Sequence, residues 1–191
     1  MSGNHHLYVP GPSNVPAAVQ QAIHCPMEDH RNPTIPGLIT PLIEDLKKIV
    51  LTEKGKVVFF PSSGTGCWEA ALQSTLNIGD TVLGASFGQF SMLWLDMCTR
   101  LQFKAITMDE EWGTGANPES YHRELSKDKD HKIKAVLVCQ NETATGVRSD
   151  VLAIRKVLDD LNHPALLMVD GVSSVGSYEF RMDDWGVDCV V

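Results

Sequence analysis

The chain is predicted to fold as an α/β domain whose mostly parallel sheet is covered by helices on both faces. Three observations predict it. Short runs of Val, Ile and Leu alternate with segments whose apolar residues recur at helical spacing. The runs are apolar at consecutive positions rather than at every second one, the pattern of strands buried on both faces. The motifs rich in Gly, Ser, Thr and Asp directly follow these runs, which places them at the carboxyl-end rim of a parallel sheet, where ligands gather.

Taken in order, residues 1–34 are Pro-rich and aperiodic and read as an N-terminal extended segment. Ile35 to Leu51 spaces Leu38, Leu42, Leu46, Ile49 and Val50 as a helix does, with charges between them. Val57 to Phe60 is a short apolar run and reads as a strand. A glycine turn then opens a helix reaching Leu76. Strand Thr81 to Ala85, helix Phe87 to Leu101, strand Phe103 to Met108 and a helix from Pro118 to Leu125 follow. Strand Ala135 to Cys139, helix Val151 to Leu161 and strands Ala165 to Val169 and Val187 to Val191 complete the series. Residues 35–191 therefore read as one domain.

Composition narrows the function. A chain of 191 residues that is 43% hydrophobic can bury one sizeable core. The net charge of −8, with Lys and Arg in no block, argues against a nucleic-acid or anionic-membrane surface. The dense charges from Lys127 to Lys134 mix signs and read as a solvated loop. No apolar run reaches membrane-spanning length and the N-terminus lacks a signal-peptide core, so an intracellular protein is expected. Five cysteines, never spaced C-x-x-C, read as buried thiols rather than a disulfide or zinc framework. The seven histidines lack the paired helical spacing of a metal site.

The most informative stretch is Pro61 to Ala71. Four small residues, Ser63 to Gly66, let backbone N–H groups converge, two hydroxyls add donors, and the helix that follows points its positive end at the same spot. This is a phosphate-holding arrangement, although a ligand-free helix cap uses the same residues. No Lys follows Gly66 and the spacing is not G-x-G-x-x-G, so nucleotide loops are set aside. Three further motifs share the rim: Ser86 to Gln89, Gln140 to Gly146, and Asp170 to Ser174. A phosphate cradle, an aromatic face, a hydroxyl-rich loop and an acid ending a buried strand are the groups that would hold a phosphorylated aromatic ring. Each also has a plainer use: Phe87 in the core, Thr143 as a turn hydroxyl, Asp170 as a turn cap, Arg31 on the surface.

Val9-Pro10-Gly11-Pro12, Ser63-Gly64-Thr65-Gly66 with Glu69-Ala70, Asn141 to Gly146 and Val169 to Ser174 together resemble the class V pyridoxal-phosphate aminotransferases. Within that class the chain is most similar to the plant-type serine–glyoxylate and alanine–glyoxylate group, from His5-His6-Leu7 to Phe180-Arg181-Met182-Asp183. The resemblance implies a fold-type I large domain, a pyridoxal 5'-phosphate cofactor, and small amino acid and 2-oxo acid substrates. By the same resemblance Ser63, Gly64 and Thr65 hold the cofactor phosphate, Phe87 stacks on the ring, Thr143 serves the ring hydroxyl side, and Asp170 pairs with the ring nitrogen. Gly11 lies near the substrate carboxylate, and Arg31 reaches an active site across a homodimer interface. His30 stands where relatives carry Tyr, which leaves the donor amino acid open.

The family also needs a Lys that tethers the cofactor and moves the substrate's Cα proton. By family spacing that Lys falls a few residues past Val191, so no catalytic residue is assigned within the chain. The expectation is therefore an N-terminal fragment, its large domain incomplete and its small domain absent, inactive alone. A full-length plant-type parent would be addressed to peroxisomes, and no such signal is read here. The alternatives are a non-catalytic cofactor-binding or assembly fragment, and another class V enzyme such as a cysteine desulfurase.

Overall fold

A computed structural model describes residues 6–191, so His5 lies outside the described residues. The chain falls into two units, Met1–Asp45 and Leu46–Val191. In the first, helix α1 (Ala17–Ile23) occupies part of the segment expected to be extended. Its Ala and Gln residues favour a helix, but it buries no residue and the surrounding prolines hide its short period. Helix α2 (Ile35–Val50) begins where the spacing predicts and runs across the boundary between the units.

The Leu46–Val191 unit is the predicted α/β domain. Its elements are α3 (Gly64–Thr75), β1 (Thr81–Ser86), α4 (Gln89–Arg100), β2 (Lys104–Asp109), α5 (Pro118–Leu125) and β3 (Ile133–Cys139). A hairpin, β4 (Asn141–Glu142) and β5 (Val147–Arg148), is followed by α6 (Val151–Asp160), β6 (Leu166–Asp170) and β7 (Cys189–Val190). Five strands pair in the order β2-β1-β3-β6-β7, all parallel.

Alternate residues of the buried strands feed two cores. Leu83, Val136, Val138, Leu167 and Val169 join one face with Tyr121, Leu125, Ile154 and Leu158 of α5 and α6. Val82, Ala135, Leu137 and Met168 join the other with Trp68, Leu72, Trp94 and Leu95 of α3 and α4. Helices therefore cover both faces of the central strands β1, β3 and β6, while the edge strand β2 leaves Lys104, Ile106, Thr107 and Asp109 exposed.

Two expectations need correction. Val57 to Phe60 forms no strand: Val58 is 79% exposed and the sheet ends at β7, so the segment has no ladder partner. A run of apolar residues becomes a strand only when another strand takes up its backbone groups. The last strand is shorter than Val187 to Val191, because the Asp188 carboxylate, rather than a ladder carbonyl, accepts the Leu167 N–H at 2.8 Å.

Candidate functional site

The sheet order locates the site. From β1 the chain passes to β2 on one side and then to β3 on the other, so the crossovers diverge between β1 and β3. A crevice opens at the carboxyl ends of strands at such a reversal. The β1–β3 ladder stops at Gly84 and Leu137. Beyond it the fully buried Tyr121 hydroxyl donates to the Leu137 carbonyl at 2.9 Å and accepts the Ala85 N–H at 3.1 Å. The strands part without stranding their backbone groups.

The helix starts around the sheet differ in how they are capped. Asn117 accepts the Glu119 N–H at 3.0 Å for α5, and Asp150 accepts the Ala153 N–H at 3.0 Å for α6. Helix α4 begins at Gly88, and its cap comes from the hairpin: fully buried Glu142 accepts the N–H of Phe90 at 3.1 Å and of Ser91 at 2.9 Å. Gly88 has to be glycine here, since a Cβ would overlap Glu142 Cγ and Cδ. At α3 the N-cap Ser63 makes no side-chain cap, which leaves its hydroxyl for another acceptor.

The α3 start is pressed against the loop after β6. A Cβ on Gly64 would stand 2.6 Å from Val172 Cγ2, and one on Gly66 would overlap the Ser62 hydroxyl. With Val172 and Ser62 in these rotamers, only glycine leaves room for their side chains. Val172 in turn donates its N–H to Asp170 Oδ1 at 2.9 Å. One residue on, Ser173 accepts the Thr143 hydroxyl and the Asn141 amide, both at 2.9 Å. Gly64, Thr143 and Asp170 thus each meet the loop after β6, Gly64 against Val172, Thr143 through the Ser173 hydroxyl and Asp170 through the Val172 N–H.

Asp170 ends β6 and is buried. Burial pushes its carboxyl above the usual carboxylate range; the Val172 N–H, the Cys139 thiol and the Trp68 indole pull it back, and the Glu142 charge opposes them. Cys139 Sγ stands 3.5 Å from Asp170 Oδ2, and burial pushes that thiol well up. Burial likewise pushes Cys98 up to about 12 and Cys189 above its ordinary value. None of these three thiols is a ready thiolate.

Phe87, expected to stack on the ring, is fully buried, and with Leu83 and Ala85 it continues one period-two face into the core. Phe90, on the first turn of α4, is 36% exposed, its ring edge-on to Trp68 at 6.5 Å. Ser63 and Thr65 are exposed, Gly64 and Thr143 half-buried. Gly11 and Arg31 belong to the Met1–Asp45 unit, where Gly11 has open space about it and Arg31 lies exposed, 3.7 Å from the Asp29 carboxylate.

Among the described residues Lys104 and Lys134 sit at the opposite ends of β2 and β3. Lys127, Lys129 and Lys132 precede β3, and Lys156 is on α6. Lys56 lines an apolar groove of about 620 Å³ that runs along the edge strand β7 and reaches Gly171 and Val172 of the loop after β6.

Comparison with known proteins places this architecture. A serine–glyoxylate aminotransferase of Hyphomicrobium methylovorum is 59% identical over 191 residues, all of this chain and 47% of that protein. One of Arabidopsis thaliana is 50% identical over 186 residues, 97% of this chain and 46% of that protein. The crystal structure of ureidoglycine–glyoxylate aminotransferase from Bacillus subtilis superposes with a TM-score of 0.87 at 27% identity, covering 95% of this chain and 46% of that one. The chain thus spans about half the length of these relatives. Residues 37–191 match the class-V aminotransferase family, and with the parallel sheet and the strand-end loops just described the chain belongs to that family.

Proposed function

We propose that these 191 residues form the cofactor-holding half of a pyridoxal-phosphate aminotransferase that moves an amino group from a small amino acid, serine or alanine, to glyoxylate. The observation that carries the reading is the meeting of the α3 N-terminus with the Asp170–Ser174 loop at Gly64 and Val172. The residues fit the cofactor. A glycine-lined helix start with a free N-cap hydroxyl suits a phosphate, and a buried carboxylate suits a protonated ring nitrogen.

When bound, the cofactor supplies a carbonyl for the substrate amine and an electron sink for the Cα carbanion. The chain's own residues bind and orient. The N–H groups of the α3 start and the Ser63 and Thr65 hydroxyls take the phosphate. Phe90 offers the aromatic face, Thr143 a hydroxyl beside the ring, and Asp170 an acceptor that keeps a proton on the ring nitrogen. Arg31 and Gly11 are proposed to act on substrate, Arg31 from the other subunit of a homodimer, for which its exposure is suited. A cysteine desulfurase reading is less supported, because Cys98, Cys139 and Cys189 are pushed toward the thiol form.

Titration of the chain with pyridoxal phosphate tests this. Saturable quenching of tryptophan fluorescence, weakened by Asp170→Ala and by competing inorganic phosphate, is expected, with no transfer from serine to glyoxylate. Absence of saturable binding, or a borohydride-trapped adduct on one lysine together with amino transfer, refutes it.

A further inference from the structure

A second cavity, of about 310 Å³, is lined by Gln140, Arg148, Ser149, Asp150, Glu179 and Trp185; Gly64, Thr143 and Asp170 are not among its walls. Its size is at the small end of ligand cavities, which run from about 300 to 1,000 Å³. Two of its polar residues are buried, Gln140 at 2% exposure and Ser149 at 5%. The Gln140 backbone donates to the Asp170 carbonyl at 3.0 Å and accepts the Ser149 N–H at 2.8 Å, and its side-chain oxygen accepts the Ser174 hydroxyl at 2.6 Å. Its amide nitrogen has no partner among the described residues. An enclosed amide held this firmly, with its donors unused, marks a place for an acceptor. Ser149 Oγ accepts the Ala116 N–H at 3.0 Å and keeps its own proton to give.

The charges around the cavity are of both signs and do not meet one another. Arg148 makes no ion pair among the described residues; its guanidinium lies over the Tyr178 ring, 5.4 Å from the centroid, which steadies the charge without neutralising it. Asp150 spends Oδ1 on the Ala153 N–H at the start of α6 and leaves Oδ2 unused. Glu179 gives one oxygen to Arg181 at 2.7 Å. We propose that this cavity is a second binding site, for a small zwitterionic α-amino acid: Arg148, the Gln140 amide and the Ser149 hydroxyl take its carboxylate, and the Asp150 and Glu179 carboxylates take its ammonium group. A bare carboxylate would lie against two acidic side chains and a bare amine against a guanidinium, so neither half suits the cavity alone. Half-buried Trp185 supplies an apolar wall, and the volume admits only a short side chain. The site stands independently of the cofactor reading, since no residue of the phosphate cradle lines it.

The test is a titration of the cofactor-free 191-residue chain with glycine and with L-serine, read by NMR at the Gln140 side-chain amide, the Arg148 Nε–H and the Trp185 indole N–H. Saturable shifts of all three signals with a common midpoint are expected, while the backbone amides of Gly64 and Thr143 stay in place. Acetate and methylammonium, the two halves of glycine, should each bind at least roughly tenfold more weakly. Arg148→Gln keeps the stem and removes the charge; Asp150→Asn keeps a side chain that caps α6 and removes the carboxylate. Each should weaken glycine binding at least roughly tenfold, the loss of one charge-assisted bond. The proposal is overturned if neither amino acid gives a saturable shift of the three signals, if acetate binds as tightly as glycine, or if both variants bind as the wild type does. Should one variant fail to fold, the other and the two half-ligands decide. Failure of the cofactor reading would show instead as absent pyridoxal phosphate binding with the glycine titration intact.

Discussion

Gly64→Ala separates the geometry of the rim from the stability of the fold. The added Cβ would stand 2.6 Å from Val172 Cγ2, against an optimum of about 3.5–4.0 Å for carbon atoms, so something must move by about 1 Å. Val172 is 59% exposed and can turn, at about 0.5–1.5 kcal/mol for a strained χ angle. Replacing the glycine that starts α3 returns a fraction of the ~1 kcal/mol helix preference for Ala. The two nearly cancel. A net change of ~1 kcal/mol moves the melting temperature by about 2–4 °C in a chain of this size. Where the helix start rather than Val172 takes up the ~1 Å, phosphate binding should suffer far more, because the shift stretches charge-assisted hydrogen bonds worth about 1.5–3 kcal/mol each, a tenfold to hundredfold loss of affinity. The assay is a melt beside a fluorescence titration with pyridoxal phosphate. Adding Val172→Ala removes the obstructing methyl groups and should restore most of the affinity. The reasoning fails if Gly64→Ala binds normally, or if Val172→Ala in the double variant recovers nothing.

The hairpin's grip on α4 predicts that Gly88→Ala costs about 2–4 kcal/mol in denaturant unfolding, since Glu142 is fully buried and cannot retreat; Glu142→Gln, which keeps the shape and loses the charge, should cost about 1–2 kcal/mol. Tyr121→Phe leaves the Ala85 N–H and Leu137 carbonyl unpaired where the strands part, and about 1–3 kcal/mol should be lost. Acid should weaken the fold through Asp128 and His163, 3.3 Å apart. Burial holds His163 below its ordinary value; burial raises Asp128, but the Ile133 and Lys132 N–H groups and His163 together hold it low. Both groups bind more protons unfolded than folded, so stability falls as pH drops below ~6.5 for His163 and again below ~4 for Asp128. Denaturation midpoints against pH should show both limbs, and His163→Gln should remove the upper one. Asp170→Asn should stabilise the cofactor-free chain at neutral pH while lowering pyridoxal phosphate affinity at least roughly tenfold, the loss of a charge-assisted bond.

Much of this was legible from pattern. The strands β1, β2, β3 and β6 and the helices α2 to α6 announce themselves because each carries a complete local signal: a buried run, a helical stripe, or a cap such as Asn117-Pro118. Strand identity at Val57 to Phe60 could not be read locally, because a strand is a relation between two segments and the sequence shows one. Glu142 was read as part of a polar loop, and nothing in its neighbourhood says that it caps a helix 52 residues earlier. That Ser63, Gly64, Thr143 and Asp170 lie beyond the ends of apolar runs could be inferred from order alone, because each directly follows or ends such a run. The burial of Phe87 follows from the strand's period-two face continuing past its hydrogen-bonded end, and the neighbouring aromatic outside that face is Phe90, on the first turn of the next helix.

The departures from ordinary protein economy are not spread evenly over this chain. Helices α5 and α6 carry local caps, and the buried strands satisfy their backbones with one another. At the rim the pattern breaks: α3 begins without a side-chain cap, Asp170 is a carboxylate pushed up by burial, and the Trp68 N–H is enclosed without a regular partner. Each of these costs folding free energy in the absence of ligand. The α3 start is pressed against the loop that Asp170 opens, and Trp68 lies on the second turn of α3. A sequence selected for stability alone would cap α3 and replace Asp170, so the coincidence of the three at one place is better explained by a ligand that is both anionic and basic than by folding. A phosphate with a protonatable ring satisfies the helix start and the buried carboxylate together; a simple phosphate ester satisfies only the first. Binding of pyridoxal phosphate and of inorganic phosphate to wild type and Asp170→Asn therefore discriminates the two, since the substitution should weaken the first ligand and spare the second.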